Sequence, residues 1–276
     1  MSHILKELLL FFSIFLFLSC EKHQDIYFKD FAVVSAKIEA SEAGYEILKM
    51  GGNAFDAMIA TDLALSVVYP NAGNLGGGGF MVYRTADGDY GSLDYREKAP
   101  LASTKDMYLD EDNNVVKGLS SEGALSIGVP GTVAGLFETY QRFGSLPLDS
   151  LFKPAMKLAK YGFPLTKKQA KSFNQNKRKI LSNSNNIDLF KKDFVEGMVF
   201  INPALYRTLK FILENGKDGF YEGEISDEII EFTASKGGVL SKKDFLSYKP
   251  IWRSPFIFNF NNLKIITMGL PSSGGI

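Results

Sequence analysis

The chain has 276 residues, with 31 Lys and Arg against 31 Asp and Glu. That length can bury a substantial core, and a formal charge of zero provides no field to gather a polyanion, so nucleic acid is not an expected partner. The single Cys and both His (Cys20, His3 and His23) fall at the front, leaving no thiol or imidazole in the body. This excludes disulfides, Cys/His zinc sites, a Cys nucleophile and a Ser-His-Asp triad there.

The first expected element is an export signal. Leu8 to Leu18 is apolar except for Ser13, with Lys6 before it and Ser19-Cys20 after it. It is about half the roughly 20 residues needed to span a bilayer, and suits the apolar section of a signal peptide. Phe17-Leu18-Ser19-Cys20 resembles a bacterial lipobox, although the first position is usually aliphatic and Glu7 offsets Lys6. Residues 1–20 are therefore expected to be a signal peptide with Cys20 as lipidation site, and 21–30 a polar tether. The expected location is periplasmic or cell-surface, with lipid anchoring to a bacterial membrane. A non-lipidated signal peptide is the alternative.

From residue 31 onward the pattern alternates between short strands and amphipathic helices. Phe31 to Ala36 reads as a buried strand, and Ile38 to Met50 as a helix stopped by Gly51-Gly52. A second helix opens after Asn53 as N-cap, and its Ala- and Leu-rich run to Val68 predicts deep burial. Phe80–Arg84 and Tyr90–Tyr95 flank Ala86-Asp87-Gly88-Asp89 and predict a hairpin. Helical spacing returns over 131–143 and 151–161. Residues 166–196 are polar and Lys/Asn-rich, expected as surface helix plus loop. Within them Lys167-Lys168 and Lys191-Lys192 read as solvated basic pairs. Helices are predicted over 203–215 and 225–236, a short one capped by Ser241-Asp244, and strands over 251–268. The final Pro271 to Ile276 lacks a polar tail and reads as the interior of a longer polypeptide.

Three segments invite chemistry. Gly73-Asn74-Leu75-Gly76-Gly77-Gly78-Gly79 permits close backbone approach. It is not a P-loop, because no Lys-Ser/Thr follows and the helix precedes the strand. Leu93-Asp94-Tyr95-Arg96-Glu97-Lys98 ends the hairpin; Arg96 either joins a local salt-bridge network or offers its fork to a carboxylate. Gly128 to Gly135 reads as a tight turn into a helix. Thr132 within it has no visible base.

In chain order, the stretches ASEAGYEILKMGGNAFDAMIATDLALSVVYP, NAGNLGGGGFMVYR, LDYREKAP, VPGTVAGL, KPAMKLAKYGFPL, NGKDGFYEGEISDEI and PSSGGI resemble the γ-glutamyltransferases, which are N-terminal-nucleophile hydrolases. The resemblance implies an α/β fold, a four-layer αββα sandwich that this portion holds incompletely over 31–276. It also implies a precursor that cleaves itself before a Thr nucleophile. That Thr attacks a γ-glutamyl amide such as glutathione, then passes the acyl group to water or an amino acid. On this resemblance Arg96 binds the glutamyl α-carboxylate, and the Thr lies beyond Ile276 in a small subunit that partners this one. No catalytic residue, metal or cofactor is expected in this chain, and Gly274-Gly275 is not the family's oxyanion pair. A side-chain amide acylase of the β-lactam type and a non-catalytic truncated lipoprotein are the alternatives.

Overall fold

Each turn of the fold is set by a local stop signal and closed by a buried face. In the computed structural model the described residues are 30–184 and 188–274. The signal segment, Cys20, Gly275 and Ile276 lie outside them. The chain divides after Ala32, and the helices and sheets of the described residues belong to the compact unit Val33–Ile276.

Helix α1 (Ile38–Lys49) packs on α2 (Ala54–Val68), which the apolar run predicted. Asn53 caps α2 by accepting the amides of Phe55 and Asp56, while Asp56 accepts the Asn53 amide. Helix α2 is buried over most of its circumference, as its composition implied. It packs against α3 (Thr132–Phe143) and α4 (Leu148–Tyr161). On its sheet-facing side, Phe55 and Met58 meet Met81, Leu93 and Tyr95.

The expected hairpin forms: β1 (Phe80–Arg84) and β2 (Tyr90–Asp94) pair antiparallel, with Phe80 opposite Asp94. Strand β5 (Ile251–Arg253) adds to the other side of β2. Strands β6 (Phe256–Phe260) and β7 (Leu263–Thr267) make a separate hairpin, and the two-residue strands β3 (Phe163–Pro164) and β4 (Val199–Phe200) pair with each other. Helices and antiparallel sheets thus give the mixed α/β class. Among the described residues the sheets are small, short of two full stacked layers.

Three expectations are corrected in detail. Residues 31–36 do not form a strand: Val34 is 88% exposed, and Ser35 instead bonds to Lys37 and Ser41 at the start of α1. The 166–196 region is more than surface. Its helix α5 (Lys167–Asn183) begins with a Thr166–Gln169 capping box and buries Phe173, which meets the rings of Phe190, Phe194 and Phe200 at 5.5, 5.1 and 5.2 Å. The helix predicted to end at Asn215, α6 (Pro203–Tyr221), does break there. Gly216 takes φ 66°, which a side chain disfavours, and a further helical turn follows. Helices α7 (Glu224–Ser235) and α8 (Lys242–Ser247) complete the order.

Asp56 carries a disproportionate load. It is fully buried, and besides the Asn53 amide it accepts the amide and hydroxyl of Ser145 at 3.0 and 2.5 Å, tying α2 to the α3–α4 turn. Asp56→Ala leaves three donors without their acceptor and is expected to cost about 2–4 kcal/mol. A urea unfolding midpoint checks this; an unchanged midpoint contradicts the assigned role.

Candidate functional site around Arg96

The hairpin delivers Arg96 to a place where three chain segments converge. Tyr95 extends the β1–β2 pairing by exchanging backbone hydrogen bonds with Gly79. Its ring is buried between the glycine run and α3. A Cβ on Gly79 would stand 2.8 Å from the ring, and one on Gly135 2.3 Å from its Cγ. A Cβ on Gly78 would reach within 2.5 Å of the Tyr95 carbonyl oxygen, and one on Gly131 within 2.0 Å. The glycines serve close packing against a strand end, as the sequence suggested for the 73–79 run. Asn74 locks the arrangement: its Oδ1 accepts the Gly77 amide and the Thr132 hydroxyl, and the Gly77 carbonyl accepts the amides of Gly131 and Thr132. Thr132 is therefore a buried structural hydroxyl, in keeping with the turn read there.

Arg96 itself is anchored through its backbone. Asp94 Oδ1 accepts the Arg96 amide at 3.0 Å, and the Tyr248 hydroxyl donates to the Arg96 carbonyl at 2.8 Å. Asp94 is held in turn by Arg253, whose Nε lies 2.8 Å from Oδ2. Tyr221 stacks on Tyr248, and its hydroxyl donates to the Pro130 carbonyl. Burial pushes the Tyr248 hydroxyl well above the ordinary tyrosine range, with the charges of Asp94 and Glu97 adding to it. It stays a proton donor at any physiological pH.

The side chain is freer than the backbone. Arg96 is 59% exposed and passes over the Phe80 ring at 5.9 Å from its centroid. Its Nε sits 2.9 Å from Glu97 Oε2, a buried oxygen that accepts no well-aligned hydrogen bond. The contact is an ion pair by proximity, and it leaves the terminal guanidinium nitrogens unpaired among the described residues. A planar donor fork on a fixed backbone, open to solvent, suits a carboxylate held by two parallel hydrogen bonds.

A family model for gamma-glutamyltranspeptidase matches residues 40–276. The chain belongs to the gamma-glutamyltranspeptidase family. It is 41% identical over 252 residues to a glutathione hydrolase proenzyme of Pseudomonas sp. (strain A14), covering 88% of this chain and 43% of that relative. It superposes on the Helicobacter pylori gamma-glutamyltranspeptidase with a TM-score of 0.87 and 41% identity, covering 91% of this chain and 73% of that one. A cephalosporin acylase from Bacillus halodurans matches with a TM-score of 0.72 and 27% identity, covering 90% and 49%. The chain thus spans less than half the length of the curated relative.

Of the residues singled out in the sequence, Arg96 lies within the family match and Cys20 lies outside the described residues. Sequence reasoning missed Tyr248, Arg253 and Asp62. The first two are more than 150 positions from Arg96, and no periodicity links them to it. Asp62 is the one acid of α2 beyond its capping turn, set in an apolar run, which was a visible signal. Burial raises its carboxyl from the usual 3.8 to about 6, and its charge also raises Tyr95. No hydrogen bond or ion pair stabilises its carboxylate among the described residues, though some solvent contact remains.

Because the folded value lies above the unfolded one, the folded state binds this proton more tightly. Any stability Asp62 lends is present below about pH 4 and is lost as pH rises through 6. Asp62→Asn is therefore expected to stabilise the polypeptide by about 3 kcal/mol at pH 8 and by well under about 1 kcal/mol near pH 4. Urea midpoints measured across that range check it; a destabilising effect at pH 8 contradicts the unpartnered state.

Proposed function

We propose that the whole protein transfers or hydrolyses γ-glutamyl groups through a covalent γ-glutamyl-threonine intermediate, with Arg96 gripping the substrate's α-carboxylate. The observation that carries this reading is the Arg96 geometry within the family match: a backbone held by Asp94 and Tyr248, and an open guanidinium.

The chemistry divides between two portions of polypeptide. This one binds and orients the amino-acid end of the donor, so that its γ-carbonyl faces the nucleophile. The threonine and its oxyanion donors come from polypeptide outside these 276 residues, released as a small subunit when the precursor cleaves itself. Two observations support that division. The curated relative is named a proenzyme and is more than twice as long as the matched region. The β6–β7 hairpin also leaves Phe256, Phe260 and Leu263 between 49% and 61% exposed, as strands awaiting a covering layer would. The acceptor is water or an amino acid, and glutathione is the expected donor class. We further infer an exported protein anchored by acyl chains on Cys20, supported by the apolar run and lipobox-like residues before it.

The cephalosporin acylase likeness favours a second reading, cleavage of another side-chain amide. The two readings differ in what Arg96 receives. Arg96→Lys keeps the charge but loses the two-point fork. In the whole, self-processed protein it is expected to lower kcat/KM for γ-glutamyl-p-nitroanilide about 100-fold, mainly through KM. Undiminished activity, or faster cleavage of a glutaryl amide than of the γ-glutamyl amide by the unaltered protein, overturns the assignment.

A further inference from the structure

The two basic pairs read as solvated in the sequence differ in the structure. Lys191 pairs with Asp188, whereas Lys167 and Lys168 belong to a larger array. Between Lys153 and Ile187 the sequence has no Asp or Glu, yet it carries nine of the chain's 31 Lys and Arg. This is a local excess inside a chain of zero formal charge.

Helix α5 sorts that charge onto one side. At about 100° per residue, its buried or docked positions (Gln169, Ala170, Phe173, Lys177 and Ile180) point one way. Lys167, Lys168, Lys171, Arg178 and Lys179 occupy an arc of about 120° on the opposite side, and all five are exposed. Lys179 is paired with Glu122. The other four have no acidic partner among the described residues, so their field is not cancelled locally.

The second observation is where the chain enters the fold. Lys37 stands at the N-terminal boundary of α1, just after Val33, the first residue of the compact unit, and its ammonium lies over the Tyr69 ring. Burial is the main cause holding its ammonium below the ordinary lysine range; Glu39 opposes this, and the nearby charge of Lys168 adds to it. Gln169 of α5 donates its side-chain amide to the Val68 carbonyl, next to the Tyr69 ring beneath Lys37, so the entry point and the start of the basic arc adjoin.

We propose that the basic arc of α5, Lys167, Lys168, Lys171 and Arg178, docks on the anionic phospholipid surface to which the chain is anchored, so that the body sits with this helix toward the membrane. The proposal rests on the Cys20 anchor inferred above. From Cys20 to Val33 a fully extended tether reaches no more than about 45 Å, so the body stays close to the bilayer. The screening length at physiological salt is about 8 Å, so only a face in near contact with the headgroups feels their charge. The acyl chains supply attachment and the four cations supply orientation. Phosphate diesters are the complementary chemistry, each basic side chain near the surface adding to the attraction.

The test separates the arc from the anchor. The whole processed protein beginning at a Cys20→Ser position has no acyl chains, and its binding is read by co-sedimentation with vesicles of 30% phosphatidylglycerol in phosphatidylcholine. It is expected to bind these, to ignore pure phosphatidylcholine, and to be released by 0.5 M NaCl. The quadruple variant Lys167→Gln, Lys168→Gln, Lys171→Gln and Arg178→Gln is expected to bind at least about 50-fold more weakly, with unchanged circular dichroism and Tm. Neutralising the exposed Lys105, Lys117, Lys236 and Lys243 in the same way should change binding less than about fivefold. Equal losses from the two sets, no preference for phosphatidylglycerol, or binding of duplex DNA but not vesicles overturns the docking surface. The mass of the native N-terminus decides separately whether Cys20 is acylated.

Discussion

The site depends on how closely backbone can approach Tyr95. Its carbonyl and ring occupy space that a single methyl group on Gly78, Gly79, Gly131 or Gly135 would fill. Two loops distant in sequence, one ahead of β1 and one ahead of α3, therefore close over the same strand end. Overlap at 2.0–2.8 Å from backbone or an aromatic ring is not relieved by rotating a flexible side chain. The hydrogen bonds from Gly131 and Thr132 to Gly77, and from Thr132 and Gly77 to Asn74, follow from that closure.

Charge placement builds on this geometry. Asp94 divides its two oxygens, one to the Arg96 amide and one to Arg253, so β5 reaches Arg96 through a carboxylate. Tyr248, at the start of the same return segment, holds the other side of the Arg96 peptide. A bidentate grip requires the guanidinium plane to be aimed, and a long side chain on a mobile backbone would lose that aim as entropy. Here the backbone is fixed from both sides, while the charged end stays open to solvent beside Glu97 and the Phe80 ring.

Legibility from sequence followed the range of the interactions. Helices α1 and α2, the β1–β2 hairpin and the Ser241 cap were readable because their signals are local: Asn53 and Ser241 cap, Gly51-Gly52 stops, and Asp87-Gly88 turns. The strand expected at 31–36 failed because a short apolar, β-branched run satisfies strand propensity without settling whether a pairing strand lies beside it. Phe190 and Phe194 were hidden in a polar stretch whose few rings meet only in three dimensions. Arg96 was visible as a charged residue at a strand end, but spacing alone favoured a local salt bridge. That contact is present, with the guanidinium leaning on Glu97, while its terminal nitrogens have no partner among the described residues. The basic arc on α5 needed helical phase and the position of Lys37, neither of which a pair of lysines declares.

The central claim is that a backbone fixed by glycine packing presents an open guanidinium to the amino-acid end of a γ-glutamyl group. A crystal structure of the whole protein soaked with glutamate tests it most directly. The account predicts both α-carboxylate oxygens about 2.8 Å from the Arg96 guanidinium, with Asp94 and Tyr248 still holding the Arg96 peptide. Glutamate bound with its α-carboxylate elsewhere, and Arg96 still turned to Glu97, would contradict it.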